Sequence, residues 1–260
     1  MKMKNKIFFL GLIALVSMTM MSCMSVTLNN GKDGKDGKDT TPTQVPVANQ
    51  VTAMQPFDQV EVAGAFKVIY EQGEKHSVRI EADEQAMKEM TVYVKEGELR
   101  IRQAVNRPKA KLENVKLYVT SPAIDNISIA GSGMFTASQP ISSNDLNSEI
   151  AGSGQILLVA VNGEKSTMQI AGSGSIEIGQ LDCRKARAEI AGSGDVNLGT
   201  LKCKDFNIEI AGSGDVNCEH IDADNVHTDI AGSGDVNIKG NVRHSSKDIA
   251  GSGKVNITVE

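Results

Sequence analysis

A chain of 260 residues that is 40% hydrophobic and 23% charged can hold one or two folded domains, but with 3% aromatic residues and no Trp it cannot build the ring-lined platforms on which bases or sugars stack. Its formal charge of -5 becomes -8 once a leader carrying Lys2, Lys4 and Lys6 is removed. Nothing in that balance would neutralise phosphates, so no nucleic-acid partner is expected.

Residues 1–22 begin with basic side chains, continue through an apolar run over 7–16 and end on Met and Ser before Cys23. This is the layout of a secretory signal peptide, too short for a comfortable membrane span. Met20-Met21-Ser22-Cys23 has the form of a bacterial lipobox, with Met where Leu is usual. Cleavage before Cys23 and lipidation of its thiol are therefore expected. The exported chain would be anchored to the outer membrane by lipid, on either its surface or its periplasmic face. Residues 23–55 carry three Gly-Lys-Asp triplets and a Thr/Pro/Gln stretch. Three triplets without Pro are too few for a collagen helix, and the segment reads as a flexible charged tether.

Residues 56–128 read as an N-terminal β region that caps a repeat domain over 129–260. The stretch 57–70 alternates apolar and polar residues as a half-buried strand does. Further strands are expected at 77–82, 90–95, 98–103 and 111–120, the second and third joined as a hairpin at Glu96-Gly97. Only 84–89 has a helical pattern.

From 129 to 260 the pentapeptide Ile-Ala-Gly-Ser-Gly occurs seven times, starting at Ile129, Ile150, Ile170, Ile190, Ile210, Ile230 and Ile249. A period near 20 residues marks stacked repeats that bury their apolar faces against one another. Aligned on the Ile, one coil places apolar residues at Val196 and Leu198, then Leu201 and Cys203, then Phe206, Ile208 and Ile210. Spacing is two within each group and three between groups, which gives three short inward-facing strands per coil. The expected fold is all-β, a right-handed parallel β-helix (a β-solenoid) of about 20 residues per coil and about 66 Å perimeter. Val62-Ala63-Gly64-Ala65-Phe66 reads as a degenerate copy of the same pentapeptide. The glycines suit a sharp corner repeated in register. A phosphate cradle is rejected, because no helix comes after them.

The opening Val62-Ala63-Gly64-Ala65-Phe66-Lys67-Val68 together with the serial Gly-Ser-Gly turns resembles the "putative auto-transporter adhesin, head GIN domain" family of exported bacterial proteins. The resemblance runs over roughly 57–260. It implies a β-helical cell-envelope protein with an adhesive role, and it carries over no catalytic residues.

Two outward columns are acidic: Glu189, Glu209 and Asp229 before the Ile, and Asp195, Asp215 and Asp235 after the last Gly, with Asn197, Asn217 and Asn237 two places on. Stacked carboxylates repel, and a hard cation such as Ca²⁺ would relieve that, so a cation strip is one reading. A solvated edge with a ladder of Asn amides is the other. Cys183 and Cys203 share a column one coil apart, where a disulfide is compatible with the spacing of parallel neighbours. Cys218 falls in the core column of Leu198, and the four His residues share no column.

The coils vary in length by one residue at most, which leaves no cleft-forming loop of the kind a polysaccharide-cleaving enzyme needs. The expected function is therefore non-enzymatic: an adhesin or scaffold whose repeats meet an unknown protein or glycan surface. A glycan- or divalent-cation-binding module is the alternative, with an enzyme on polysaccharide a distant third. The terminal strand from Val255 has no cap after it, so end-to-end association of copies is also expected.

Overall fold

The repeat columns become the rungs of a ladder. In a computed structural model, which describes residues 48–104 and 110–258, the chain is a β-solenoid of about seven turns, roughly 20 residues apart. The leader, Cys23 and the tether up to residue 47 lie outside the described residues.

Coils pair in parallel and in register. Strand β14 (Ser175–Asp182) lies on β16 (Asp195–Gly212) with Ile176 beside Val196, Ile178 beside Leu198 and Leu181 beside Leu201. β15 (Lys185–Gly192) lies on the second half of β16 with Ala186 beside Phe206 and Ile190 beside Ile210. The next rungs are β17 (Val216–Gly232) and β18 (Asp235–Gly251). The three inward groups of each coil are thus real sides, but the middle coils draw them with two strands of eight residues. The first of these turns a corner at Gly179, where pairing skips one residue, and ladder bonding resumes beyond it. Along the stack the inward residues form one core, with Phe206, Ile208, Ile210, Val196 and Leu201 fully buried.

The 21- and 19-residue coils differ from the rest at a single place. Ala137 of β9 (Met134–Ala137) pairs with Leu158, whereas Ile141 of β10 (Ile141–Ser142) pairs with Val161, so the extra residue sits in 138–140. In the shorter coil Cys218 pairs with Ile238 but Ile221 with Gly240. Both changes fall at the corner between the first and second sides and leave the pentapeptide corner undisturbed.

That pentapeptide corner admits only glycine for two separate reasons. Gly212 has φ +138°, and a Cβ on it would stand 2.1 Å from the Gly192 carbonyl oxygen, which accepts the Ser213 N–H at 2.8 Å. Gly214 has no positive φ, but its Cβ would stand 2.1 Å from the Gly194 carbonyl oxygen.

The degenerate copy at Val62 is a true rung. β2 (Gln59–Ala63) pairs in parallel with β8 (Asn126–Gly131), setting Val62 beside Ile129, and Gly64 has φ +136°. The alternating stretch 57–70 is consequently two strands rather than one: Gly64 turns a corner before β3 (Lys67–Gln72), which lies on β9. Below this rung come β6 (Glu98–Gln103) under β2 and β7 (Lys116–Ser121) under β3, both parallel. The stack is then closed by antiparallel strands: β5 (Met90–Lys95) on β6, and β4 (Ser77–Glu81) on β7 with β1 (Val51–Ala53) outside it. β5 and β6 form the expected hairpin, with Glu96 at φ 56° and Gly97 at φ 79°. Helix α1 (Glu84–Lys88) is capped by Asp83, which accepts the Ala86 N–H at 2.7 Å. The strand expected over 111–120 begins only at Lys116, after a 3₁₀ turn at Leu112–Asn114.

The opposite end is finished differently. The last described rung is β19 (Lys254–Thr258), paired with the start of β18. Beyond it, the second half of β18 has no successor rung among the described residues. Ser245, Lys247 and Ile249 take the inward positions held one coil earlier by Val226, Thr228 and Ile230. Ile249 is 39% exposed, whereas its six equivalents are at most 2% exposed.

Candidate functional surface

Every strand that sends one residue inward sends the next outward, so register in the core forces register on the surface. Outside the first side, Asn217 donates through Nδ2 to Asn197 Oδ1 at 3.0 Å, Asn237 to Asn217 at 3.1 Å and Asn256 to Asn237 at 3.0 Å. The amides form a ladder over four successive rungs, as one of the two sequence readings had it, and in earlier coils Glu177 and Leu157 hold the same place.

Beside that ladder, the Asp column is tied to the backbone. Asp195 Oδ1 accepts the N–H of Asp215 at 3.2 Å, Asp215 Oδ1 that of Asp235 at 2.8 Å, and Asp235 Oδ1 that of Lys254 at 2.9 Å. In earlier coils this corner N–H goes to a glycine carbonyl instead, as from Gln155 to Gly133 and from Ser175 to Gly154. Each carboxylate therefore has a structural task, which sequence reasoning missed.

The second acidic column runs outside the third side and is held by different partners. Glu189 bonds with Gln169 and Arg187, and Arg187 also reaches Glu209 at 2.8 Å. Asp229 meets His227 at 3.2 Å. Burial pushes the carboxyl of Glu149 up from its ordinary range, and that of Glu209 likewise, although Arg187 pulls the latter down. The two columns proposed as a cation strip thus lie on either side of the corner. Among the described residues no three His, Cys, Asp or Glu side chains converge to hold a metal ion.

A third column, not singled out from the sequence, occupies the corner between the second and third sides. Arg184 pairs with Glu164 at 3.0 Å and Arg243 with Asp224 at 3.1 Å, with Lys204 between them. These residues, with Asp182, Lys202 and Asp222, border a shallow groove of about 390 Å³ that also reaches Cys183 and Cys203. Only the succession of opposite charges at 20-residue steps could have revealed it. Both cysteines are free thiols, 6% and 9% exposed, and Cys218 is free and buried in the Leu198 column. Burial raises the Cys183 thiol to about 11 and the Cys203 thiol to about 12.

A parallel β-solenoid whose outward side chains stack from coil to coil, with a shallow groove at one corner, leaves long repetitive sides exposed. The chain belongs to the family described as "Putative auto-transporter adhesin, head GIN domain", whose sequence profile matches residues 56–219 and again 198–258. An adhesin is a non-enzymatic, envelope-associated or extracellular protein. Among solved structures, a "putative adhesin" from Bacteroides fragilis is similar at a TM-score of 0.74 and 19% identity, over 80% of this chain and 95% of that one. A "putative lipid binding protein" from Parabacteroides distasonis comes next at TM-score 0.63 and 23% identity, over 84% and 97%. A "putative adhesin" from Parabacteroides merdae is similar at 0.59 and 19%, over 80% and 94%. These likenesses establish a shared fold. No curated protein matches the chain.

Proposed function

We propose that this protein is a lipid-anchored adhesin of the outer membrane, in which Cys23 carries the anchor and the solenoid holds out its sides to a glycan or protein surface. The observation that carries the reading is the in-register stacking of outward side chains from rung to rung. The Asn ladder runs from Asn197 to Asn256 without an insertion, and a flat repeating surface suits multivalent contact with an extended partner.

The alternative, a divalent-cation module, draws on the Asp column, where each carboxylate commits one oxygen to a backbone N–H. Calcium at millimolar concentration would then raise the melting temperature, and an unchanged melt discards that alternative. The adhesin reading is tested by labelling cells with a fatty-acid probe and treating intact cells with protease. It expects label on the wild type and none on Cys23→Ser. It also expects the repeats to be cleaved if the anchor faces outward and to be spared if it faces the periplasm. An unlabelled wild-type protein sinks the anchor.

A further inference from the structure

We propose that Cys183 and Cys203 are a disulfide-forming pair, closed by a small external disulfide that enters the groove at the corner between the second and third sides. The register brings them together. Asp182 lies beside Lys202, and Cys183 donates its N–H to the Lys202 carbonyl at 3.0 Å, which makes Cys203 the next residue on the neighbouring rung. Adjacent parallel rungs put Cα atoms about 4.8 Å apart, inside the span of about 4.4–6.8 Å that a disulfide bridges. Burial above all raises the Cys203 thiol, and charge on Cys183 or on Cys218 raises it further, so the register and not the electrostatics singles out Cys183 as its partner.

Room and access point the same way. The column continues with Gly163 below the pair and Ala223 above it, so neither sulfur is boxed in by a large side chain along the stack. Both residues line the groove of about 390 Å³, between the column of Arg184 and Lys204 on one side and that of Asp182, Lys202 and Asp222 on the other. Cys218 has neither property: it sits in the Leu198 and Ile238 column and directs its S–H to the His220 carbonyl at 3.7 Å.

The chemistry is thiol–disulfide exchange. One cysteine, deprotonated, attacks a sulfur of R–S–S–R and releases one R–SH, leaving a mixed disulfide. The second cysteine then loses its proton, attacks the protein-bound sulfur and releases the second R–SH. Two protein thiols are oxidised and one external disulfide is reduced to two thiols. Because burial keeps both thiols protonated at neutral pH, closure is slow and calls for long incubation. Once closed, the bond clasps two coils beside the Arg184 and Glu164 pair. The inference draws on the proposed export only for the natural source of the oxidant.

The test incubates the full chain with cystamine, both in the native state and during refolding from denaturant, then applies alkylation, digestion and mass spectrometry. The expected result is a linked Cys183–Cys203 peptide lighter by two hydrogens, Cys218 alkylated, and a higher thermal midpoint. Cys203→Ala is expected to stop at a single cysteamine adduct on Cys183 or to remain unmodified, with Cys218→Ala still closing. Alkylation of both Cys183 and Cys203 in both arms overturns the inference. So do a bond from Cys203 to Cys218, and stable adducts on both cysteines without closure.

Discussion

Alanine at the repeat corner separates two reasons for glycine that the sequence presents as one. Gly131, in the first of the seven pentapeptides, has φ +115°, and the nearest atom to an added Cβ, the Gly64 carbonyl oxygen of the rung below, is 3.5 Å away, so Gly131→Ala tests backbone conformation alone. That strain is expected to cost about 1–3 kcal/mol. Gly214→Ala tests the opposite case, a Cβ at 2.1 Å from the Gly194 carbonyl with no positive φ, and overpacking of that kind costs about 1–3 kcal/mol. At Gly212 both apply, giving roughly 4 kcal/mol as the middle of the combined range. With a urea slope of about 3 kcal/mol per molar, Gly212→Ala should lower the denaturation midpoint by about 1.3 M, and each of the other two by about half that. Urea titrations monitored by circular dichroism and by tryptic cleavage would measure it, the two probes checking that the stack unfolds as a block. A Gly212→Ala cost below about 0.5 kcal/mol, the range of an ordinary surface substitution, would refute the idea that carbonyls of the preceding coil close the corner.

Other expectations are simpler. Thr228 is fully buried, and its hydroxyl finds no partner among the described residues, so Thr228→Val is expected to raise stability by about 1 kcal/mol; a loss in a thermal melt would point to a hidden partner. The raised carboxyl of Glu149 favours the folded state below the ordinary carboxylate pKa of about 4.3, and that contribution is lost as pH rises through the folded value. Glu149→Gln should therefore stabilise at pH 7 and change nothing at pH 3, and equal effects at both pH values would contradict this. End-to-end association is proposed to be weak, since Lys247 takes an inward-facing place on the last full rung among the described residues, and an inward charge blunts an open edge. Lys247→Val should increase self-association in sedimentation velocity, and an unchanged mass distribution counts against the open end as a contact surface.

The repeat columns were legible because period two within a side and period three between sides leave one way to face the apolar residues inward. Phe206, Ile208 and Ile210 fall as they were aligned. Strand direction was only partly legible in the cap: the Glu96-Gly97 turn marked Met90–Lys95 as the antiparallel partner of Glu98–Gln103, but nothing in the alternation of Ser77–Glu81 shows that it runs antiparallel on β7 and closes the stack. Alternation fixes which face is buried and says nothing of which neighbour a strand joins. The acidic columns show a second limit. Asp195, Asp215 and Asp235 are recognisable as a stacked row, but their bonds to corner N–H groups depend on which carbonyl the turn leaves within reach. Arg187 bridges Glu189 and Glu209 from the outward column beside theirs, and a pairing across rungs becomes visible only when the rungs are laid side by side.

The outward columns, and the Asn ladder first among them, are proposed as the adhesive surface. Binding of the full chain to an array of immobilised glycans and envelope or matrix proteins, compared with an Asn197→Ser, Asn217→Ser, Asn237→Ser variant, tests it directly. Capture by the wild type is expected, with its loss in a variant whose circular dichroism and core stability are retained. Equal capture by both proteins, or chemical turnover of an arrayed polymer, would contradict it.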